Sequence, residues 1–447
     1  MRAATLLRTS LVLLVLSTCA LAEDKPRAFI GAKIIPIEGD EIPSGTLVIK
    51  GGKIVAVGPK DTTEVPADAE KVDVTGKTIM PGLICTHSHI GGSGGLGGAD
   101  GSSPIQPGVR IYDSINVHDP GFKRALAGGL TTLNIMPGSG HLISGQTVYV
   151  KLRLNPKPKK VDDFFFSADP QGNPIGGLKM ANGTNSMREP PFPGTRGKSA
   201  FLVREQYIKA REYQDKITRA AGDAAKIPAR DLNLEALVEA LQGKRIVHHH
   251  THRHDDIATV MRLAKEFGLK VVLHHVSDAW KIPEEIAAGH FPCSVIVIDS
   301  PGGKQEARYS RFETGGILEK AGILTAFHTD DWITDSRLFR RSAALAVRAG
   351  MSRPGALKAL TFAGAQMLGL EERIGSLKAG KDADFAILEG DPLSVYCKTQ
   401  ETWVDGVKVF DRNDPKDRLY AVGGYGAGHD QMPYLCCFDE ANVGAAQ

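Results

Sequence analysis

The stretch Ile79-Met80-Pro81-Gly82-Leu83-Ile84-Cys85-Thr86-His87-Ser88-His89 decides how this chain is read. An apolar run ends in two histidines separated by one residue. On an extended strand, side chains i and i+2 point to the same side. His87 and His89 can therefore reach one metal ion from the end of a sheet. Two unrelated loop histidines are the plain alternative, and the rest of the chain decides between them.

Half of the 14 histidines fall between His248 and His275, which scattered surface residues would not do. In Arg245-Ile246-Val247-His248-His249-His250-Thr251-His252, the apolar start makes a strand. His248 and His250 then share a face and His249 opposes them. His248 is the first choice for a metal ligand; His250 is second, or contacts substrate. In Leu269 to Val276, alternation from Val271 brings His275 to the end of the strand and turns His274 away. Ile323 to Asp331 reads as the last strand of the series, ending at Asp330. His328, two residues earlier, points to the same mouth. Helical spacing covers 122–129, 200–225, 232–241, 257–268, 283–288, 340–349 and 354–368. Strand then helix from 80 to 370 is the (β/α)8 rhythm, and barrels of this kind work at the C-terminal ends of their strands. Imidazole and carboxylate donors at those ends suit zinc or a similar divalent ion.

From Pro81-Gly82-Leu83-Ile84 through Thr86-His87 to His89, the stretch resembles the amidohydrolase superfamily, and nearest its imidazolonepropionase-like branch, which includes peptidase-like members. The resemblance covers residues 27 to 412. It implies an α/β fold: a distorted TIM (β/α)8 barrel with a small β-sandwich built from both chain ends. It implies His275 as the sixth-strand ligand and Asp330 as the aspartate of the last strand. It also implies a lysine on the fourth strand, here Lys179, carboxylated to a carbamate that bridges two ions. That chemistry needs a neutral amine, which burial beside cations supplies. Two departures stand out. Relatives carry Asp where this chain has Cys85, and Gly-Glu-Asn where it has Gly183-Thr184-Asn185. If that glutamate is a ligand, this chain lacks it, and Lys179 is as readily a surface lysine.

The chain ends match each other. Residues 27–78 read as strands with a Gly51-Gly52 hairpin. Residues 372–412 carry Gly375-Ser376-Leu377, Gly380-Lys381-Asp382-Ala383-Asp384 and a strand pair turning at Asp405-Gly406. These two segments form the sandwich, 79–371 the barrel, and 413–447 a C-terminal tail. Residues 188–230 look like an insertion opened by Pro190-Pro191-Phe192-Pro193. Residues 1–22, with Arg2, Arg8, the run Leu11 to Leu16 and Ala20-Leu21-Ala22, have the layout of a secretory signal peptide. Export to the periplasm or medium is expected, with lipid anchoring through Cys19 as the alternative. The apolar core is too short for a stable membrane span. Cys85, Cys293, Cys397, Cys436 and Cys437 remain after cleavage. Cys85 reads as a reduced core thiol; Cys436 and Cys437 could pair with Cys397 or Cys293, or with each other under strain, and the spacing decides nothing further.

The chain is 447 residues long, 42% hydrophobic and 23% charged, with a net charge of +3. That charge gives no reason to expect nucleic acid. The glycine-rich loop Gly91 to Gly98 lacks the Lys-Ser/Thr of a phosphate loop and reads as a loop at the barrel mouth. A metal-dependent hydrolase of an amide-type C–N bond follows: dipeptide, N-acyl amino acid or cyclic amide, cleaved with one or two divalent ions, zinc foremost. Asp330 would move the proton from water to the leaving nitrogen. His141, His250 and His328 are candidate substrate contacts; Arg110, Tyr112 and Trp280 are unranked specificity candidates. A homo-oligomer is left open. A metal-dependent deaminase, or a decayed exported binding protein, are the competing readings.

Overall fold

A computed structural model describes residues 25–92, 97–296, 304–331 and 333–423. The leader, Cys19, Cys436, Cys437, most of the tail and part of the Gly91–Gly98 loop lie outside them. The N-terminal strands are β1 (Arg27–Ile34), β2 (Ile42–Lys50), β3 (Lys53–Pro59), β4 (Glu70–Asp73) and β5 (Thr78–Pro81). The central ones are β6 (Leu83–Ser88), β7 (Leu130–Ile135), β8 (Ile143–Gln146), β9 (Val148–Lys151), β10 (Leu178–Ala181), β11 (Val247–Thr251), β12 (Val271–His275), β13 (Cys293–Val295) and β14 (Thr325–Phe327). The last three are β15 (Phe385–Glu389), β16 (Lys398–Val404) and β17 (Val407–Asp411).

The two chain ends meet in one sheet, ordered β17-β16-β15-β5-β1-β2-β3, with β4 on β1. Its apolar face buries Phe29, Leu47, Ile79, Phe385 and Trp403. Phe29 meets Phe385 edge-on at 5.1 Å, and Phe385 stacks on Trp403 at 5.6 Å.

The stretch Ile79 to His89 is two strands, not one. β5 belongs to this terminal sheet and β6 to the barrel. The break is at Gly82, whose N–H donates to the Asp384 carbonyl at 2.9 Å. A Cβ on Gly82 would lie 2.2 Å from Thr131 Oγ1, so only glycine lets the chain pass from one sheet to the other here.

The barrel is built from two arcs. One is β6-β7-β9; the other is β14-β13-β12-β11-β10-β8. Strands β10 to β14 run parallel, each beside the next. After His141 the chain forms β8 and β9, one in each arc, parted at Thr147, whose N–H donates to Gly177 O at 3.0 Å. At the other seam the Cys85 thiol donates to His87 O (3.0 Å) and accepts from Thr329 N–H (3.3 Å), while Asp330 N–H reaches His87 O at 3.1 Å. The barrel wall is thus joined on both sides by irregular contacts rather than by strand ladders.

Helices cover the outside. Gly121–Gly128 ends at Gly129 in the left-handed conformation. Within the insertion a single long helix, Arg196–Ala220, starts where Thr195 Oγ1 accepts from Lys198 N–H. Asp231 caps Leu232–Leu241 in the same way. The helix expected over 354–368 is two, Arg353–Ala359 and Phe362–Leu368, because the chain turns at Leu360-Thr361. Cys85 and Cys293 are buried free thiols and Cys397 is a half-buried one.

Candidate metal centre

β6 ends under the barrel mouth, where His87 in the strand and His89 just after it are both buried. His87 Nε2 and His89 Nε2 lie 3.3 Å apart. Both face one carboxylate: Asp330 Oδ1 is 3.3 Å from His87 Nε2 and 3.2 Å from His89 Nε2. All three ligand atoms lie within 4.8 Å of one another. The other nitrogen of His89 is 2.8 Å from the Met136 carbonyl, which fixes the ring and leaves Nε2 for an ion. Lys179, fully buried on β10, brings Nζ to 3.1 Å from His87 Nε2 and 3.2 Å from Met136 Sδ. Asp330 holds φ +47°, an uncommon conformation outside glycine. That backbone turn, with its N–H tied to His87 O, presents the carboxylate to the histidine pair.

A second group forms beside the first. His250, His252 and His275 bring their ligand atoms within 4.8 Å of one another, all buried. His275 Nδ1 is 3.7 Å from Asp330 Oδ2, which links the two groups. His87 Nδ1, His250 Nδ1, His252 Nε2 and His275 Nε2 are buried with no hydrogen-bond partner among the described residues. Unpaired buried polar atoms are costly, and His250, His252 and His275 bring theirs to a group that a cation would satisfy. Burial, and then neighbouring cationic groups, push His87, His250, His252 and His275 well below the ordinary histidine range. Neutral imidazoles are the form that binds metal. Nitrogen and oxygen donors of this kind suit a divalent transition ion.

Several placements differ from the sequence expectation. His248 and His250 do share a face, but His248 is deeper in the barrel. Its Nε2 is 3.0 Å from the Tyr149 hydroxyl and its Nδ1 3.0 Å from His274 Nε2, so both nitrogens are taken. Burial pushes His248 down to about 3. His250 reaches the ligand shelf instead. His274 does not face away: it points into the barrel, grouped with His87 and His328. Alternation fails at this strand end because His275 and Val276 take φ of +69° and +46°, which swings His275 back toward the mouth. His328 lies against the shelf, Nε2 at 3.2 Å from His275 Nδ1 and Nδ1 at 2.8 Å from Ser294 Oγ, and burial pushes it down to about 3. His141 is buried, but its Nε2 is held 2.6 Å from the Asp100 carbonyl.

Arg110 pairs with Asp113 at the surface, and Trp280 donates to the Tyr309 carbonyl, so neither joins the shelf. Tyr112, half-buried, packs on Phe165. His252, Lys304 and Glu306 escaped the sequence reading. The His250–His252 spacing repeats the His87–His89 pattern and could have flagged the first of them. Cys85 lies just behind the shelf, and burial, then Asp331, pushes its thiol up to about 12.

The solved structure of an amidohydrolase from Thermotoga maritima MSB8 superposes on this chain with a TM-score of 0.79; the two are 34% identical, covering 86% of this chain and 100% of that one. This chain is a member of the amidohydrolase family. Residues 238–410 of this amidohydrolase also match the sequence profile described as the amidohydrolase family. A curated relative, the amidohydrolase tasK of Hapsidospora irregularis, is 30% identical over 82% of the chain; the match spans 40% of that protein's length. A 5-methylthioadenosine/S-adenosylhomocysteine deaminase of Symbiobacterium thermophilum is 22% identical over 81% of this chain and 84% of its own. The amidohydrolase family is metal-dependent, and His87, His89 and Asp330 supply a matching donor set.

Proposed function

We propose that this amidohydrolase cleaves an amide-type C–N bond of a small molecule at an ion held by His87, His89 and Asp330. The observation that carries the reading is the convergence of those three side chains, one from β6, one just after it and one from beyond β14, on one buried point. A divalent ion there, with zinc the first candidate, would make water nucleophilic near neutral pH and polarise a carbonyl. Asp330 Oδ2, turned toward His275, is the atom placed to take a proton from the attacking water and return it to the leaving nitrogen. His275 and His328 keep that carboxylate oriented. The fifth-strand contact is assigned to His250 in preference to His248, whose nitrogens are both engaged.

Lys179 Nζ, buried 3.1 Å from His87 Nε2, is the amine that would be carboxylated if the site holds two ions. The leader supports export to the periplasm or medium. Among the described residues no helix is long and apolar enough to cross a membrane.

The test is elemental analysis of purified protein combined with a screen of dipeptides, N-acyl amino acids and cyclic amides. Bound transition metal with amide turnover is expected. A folded protein that takes up no ion and turns over no amide ends the proposal. Lys179→Ala separates the deaminase reading from this one. A one-ion deaminase tolerates it, whereas a carbamate-bridged hydrolase loses an ion and most of its turnover.

A further inference from the structure

Above the ligand shelf, a short helix, Gln305–Ala307, places two charged residues that the shelf chemistry does not use. Lys304, immediately before it, has a side chain only 10% exposed, and Nζ lies 3.1 Å from His250 Nε2 and 3.1 Å from Glu306 Oε1. Glu306 is itself fixed. Its Oε2 accepts from Thr184 N–H at 2.9 Å and lies 3.4 Å from Arg196 Nη2. It fits there because Gly183 has no side chain: a Cβ would come within 2.6 Å of Oε2. Lys304 is therefore a clamped, nearly buried cation aimed at the shelf, not a solvated surface lysine.

Its position poses an electrostatic problem. An ammonium beside His250 faces the divalent ion that the neighbouring histidines would hold, and like charges repel strongly where little water intervenes. An anion between them removes the repulsion and gains a charge-assisted hydrogen bond. The route from Lys304 to Asp330 runs through only two side chains, His250 and His275, whose ring centroids are 4.2 Å apart. In an N-acyl amino acid the carboxylate carbon lies about 4 Å from the scissile carbonyl carbon, by standard backbone dimensions. A carboxylate next to the amide nitrogen is the substrate group that can approach Lys304 from the shelf; an uncharged cyclic amide leaves Lys304 with Glu306 as its anionic partner.

Resting on the hydrolase reading above, we propose that Lys304 anchors a carboxylate on the substrate, so that this enzyme takes amides whose leaving amine bears an α-carboxylate: N-acyl amino acids and dipeptides. Glu306 acts through Lys304 as a positioning residue.

The experiment uses metal-loaded full-length protein and matched substrates: an N-acetyl amino acid, the same compound with its carboxylate capped as a primary amide, and a dicarboxylic acid monoamide that carries its carboxylate on the acyl side. The free acid should be favoured over both others by tenfold to hundredfold, about the range of one charged hydrogen bond. Lys304→Met should raise KM for the free acid by about the same factor, with kcat and metal content little changed and the capped substrate unaffected. Lys304→Arg should restore the preference, which a purely structural lysine would not predict. Equal turnover of acid and capped amide overturns the proposal, as does a Lys304→Met loss shared by both. A preference for the acyl-side acid overturns the assignment to the leaving group. Turnover of cyclic amides alone overturns it while leaving the hydrolase reading intact; turnover of no amide at all fails that reading instead.

Discussion

Among the described residues, the barrel mouth and the junction with the terminal sheet both gather metal-ligand side chains, and they are built on opposite principles. At the mouth, His87, His89, His250, His252 and His275 converge with several nitrogens left without partners. At the junction of barrel and terminal sheet, Asp382, Asp384 and Asp405 converge just as closely, with ligand atoms within 4.8 Å. There the cation is built in. The amine of Lys151, fully buried at the end of β9, is 2.6 Å from Asp382, 3.0 Å from Asp384, and in contact with Asp405. Lys53 and Arg373 add further pairs to Asp382. Burial would lower the Lys151 amine, but the three carboxylates overrule it and hold it above the usual lysine range. Burial would raise Asp382, but Lys151, Lys53 and Arg373 hold it at about 2. The comparison teaches that proximity of ligand atoms does not mark a metal site. What marks it is the charge or lone pair left uncompensated.

The largest effect should come from Asp330→Asn. Removing the proton-moving carboxylate should cost about a thousandfold or more in kcat/KM, with most of the ion retained by elemental analysis. Retained turnover would take Asp330 out of the chemistry. Next is Lys151→Met, which takes the shared cation from Asp382, Asp384 and Asp405 and leaves buried Asp384 worst placed. Denaturant unfolding should show a loss of about 3–5 kcal/mol, while the metal content of the folded fraction stays unchanged. A drop in metal content there would erase the distinction between the two clusters. Chelation should act in reverse, lowering stability by about 3 kcal/mol at saturating ion without touching the junction. His87→Ala should show no such dependence on added metal.

The last test separates the clusters by pH. His248 and His328 sit near 3 when folded against an ordinary 6.5, so the unfolded chain binds more protons between those values. Their contribution is complete above about 6.5 and is lost as pH falls toward 3. Asp382, at about 2 against an ordinary 3.8, keeps its contribution down to the upper value and loses it below. Denaturant titration of chelated protein across pH should therefore show a shelf-dependent decline first and a junction-dependent one only under stronger acid. A flat response between pH 7 and 4.5 would mean that the barrel histidines are hydrated, not buried.

Much of this was legible in the sequence wherever a period governs direction. Alternation placed His87 with His89 and His248 with His250, and the strand–helix rhythm anticipated the barrel. It failed where direction is set by something other than period. His274 and His275 both point into the barrel, through two left-handed residues that no propensity announces. Depth along a strand is also invisible to alternation: His248 and His250 share a face, yet only tertiary neighbours decide which one meets Tyr149 and which one the shelf. The division at Gly82 depends on Thr131 and Asp384, both remote in sequence. Lys304 and Glu306 come from a loop without any pattern, and their meaning arises only from Gly183 and Thr184 across the mouth.

The passage at Gly82 also has a chronological consequence. β5 is held between β1 and β15, with Ile79 opposite Ile387. During translation, the strand that feeds His87 and His89 into the barrel leaves the ribosome long before one of its two neighbours exists. Closing so long a loop is slow, so assembly of the histidine shelf waits for the final segment of the polypeptide to be synthesised. Stopping the nascent chain ahead of Phe385 should leave an unsealed, protease-sensitive barrel, however complete its complement of ligands.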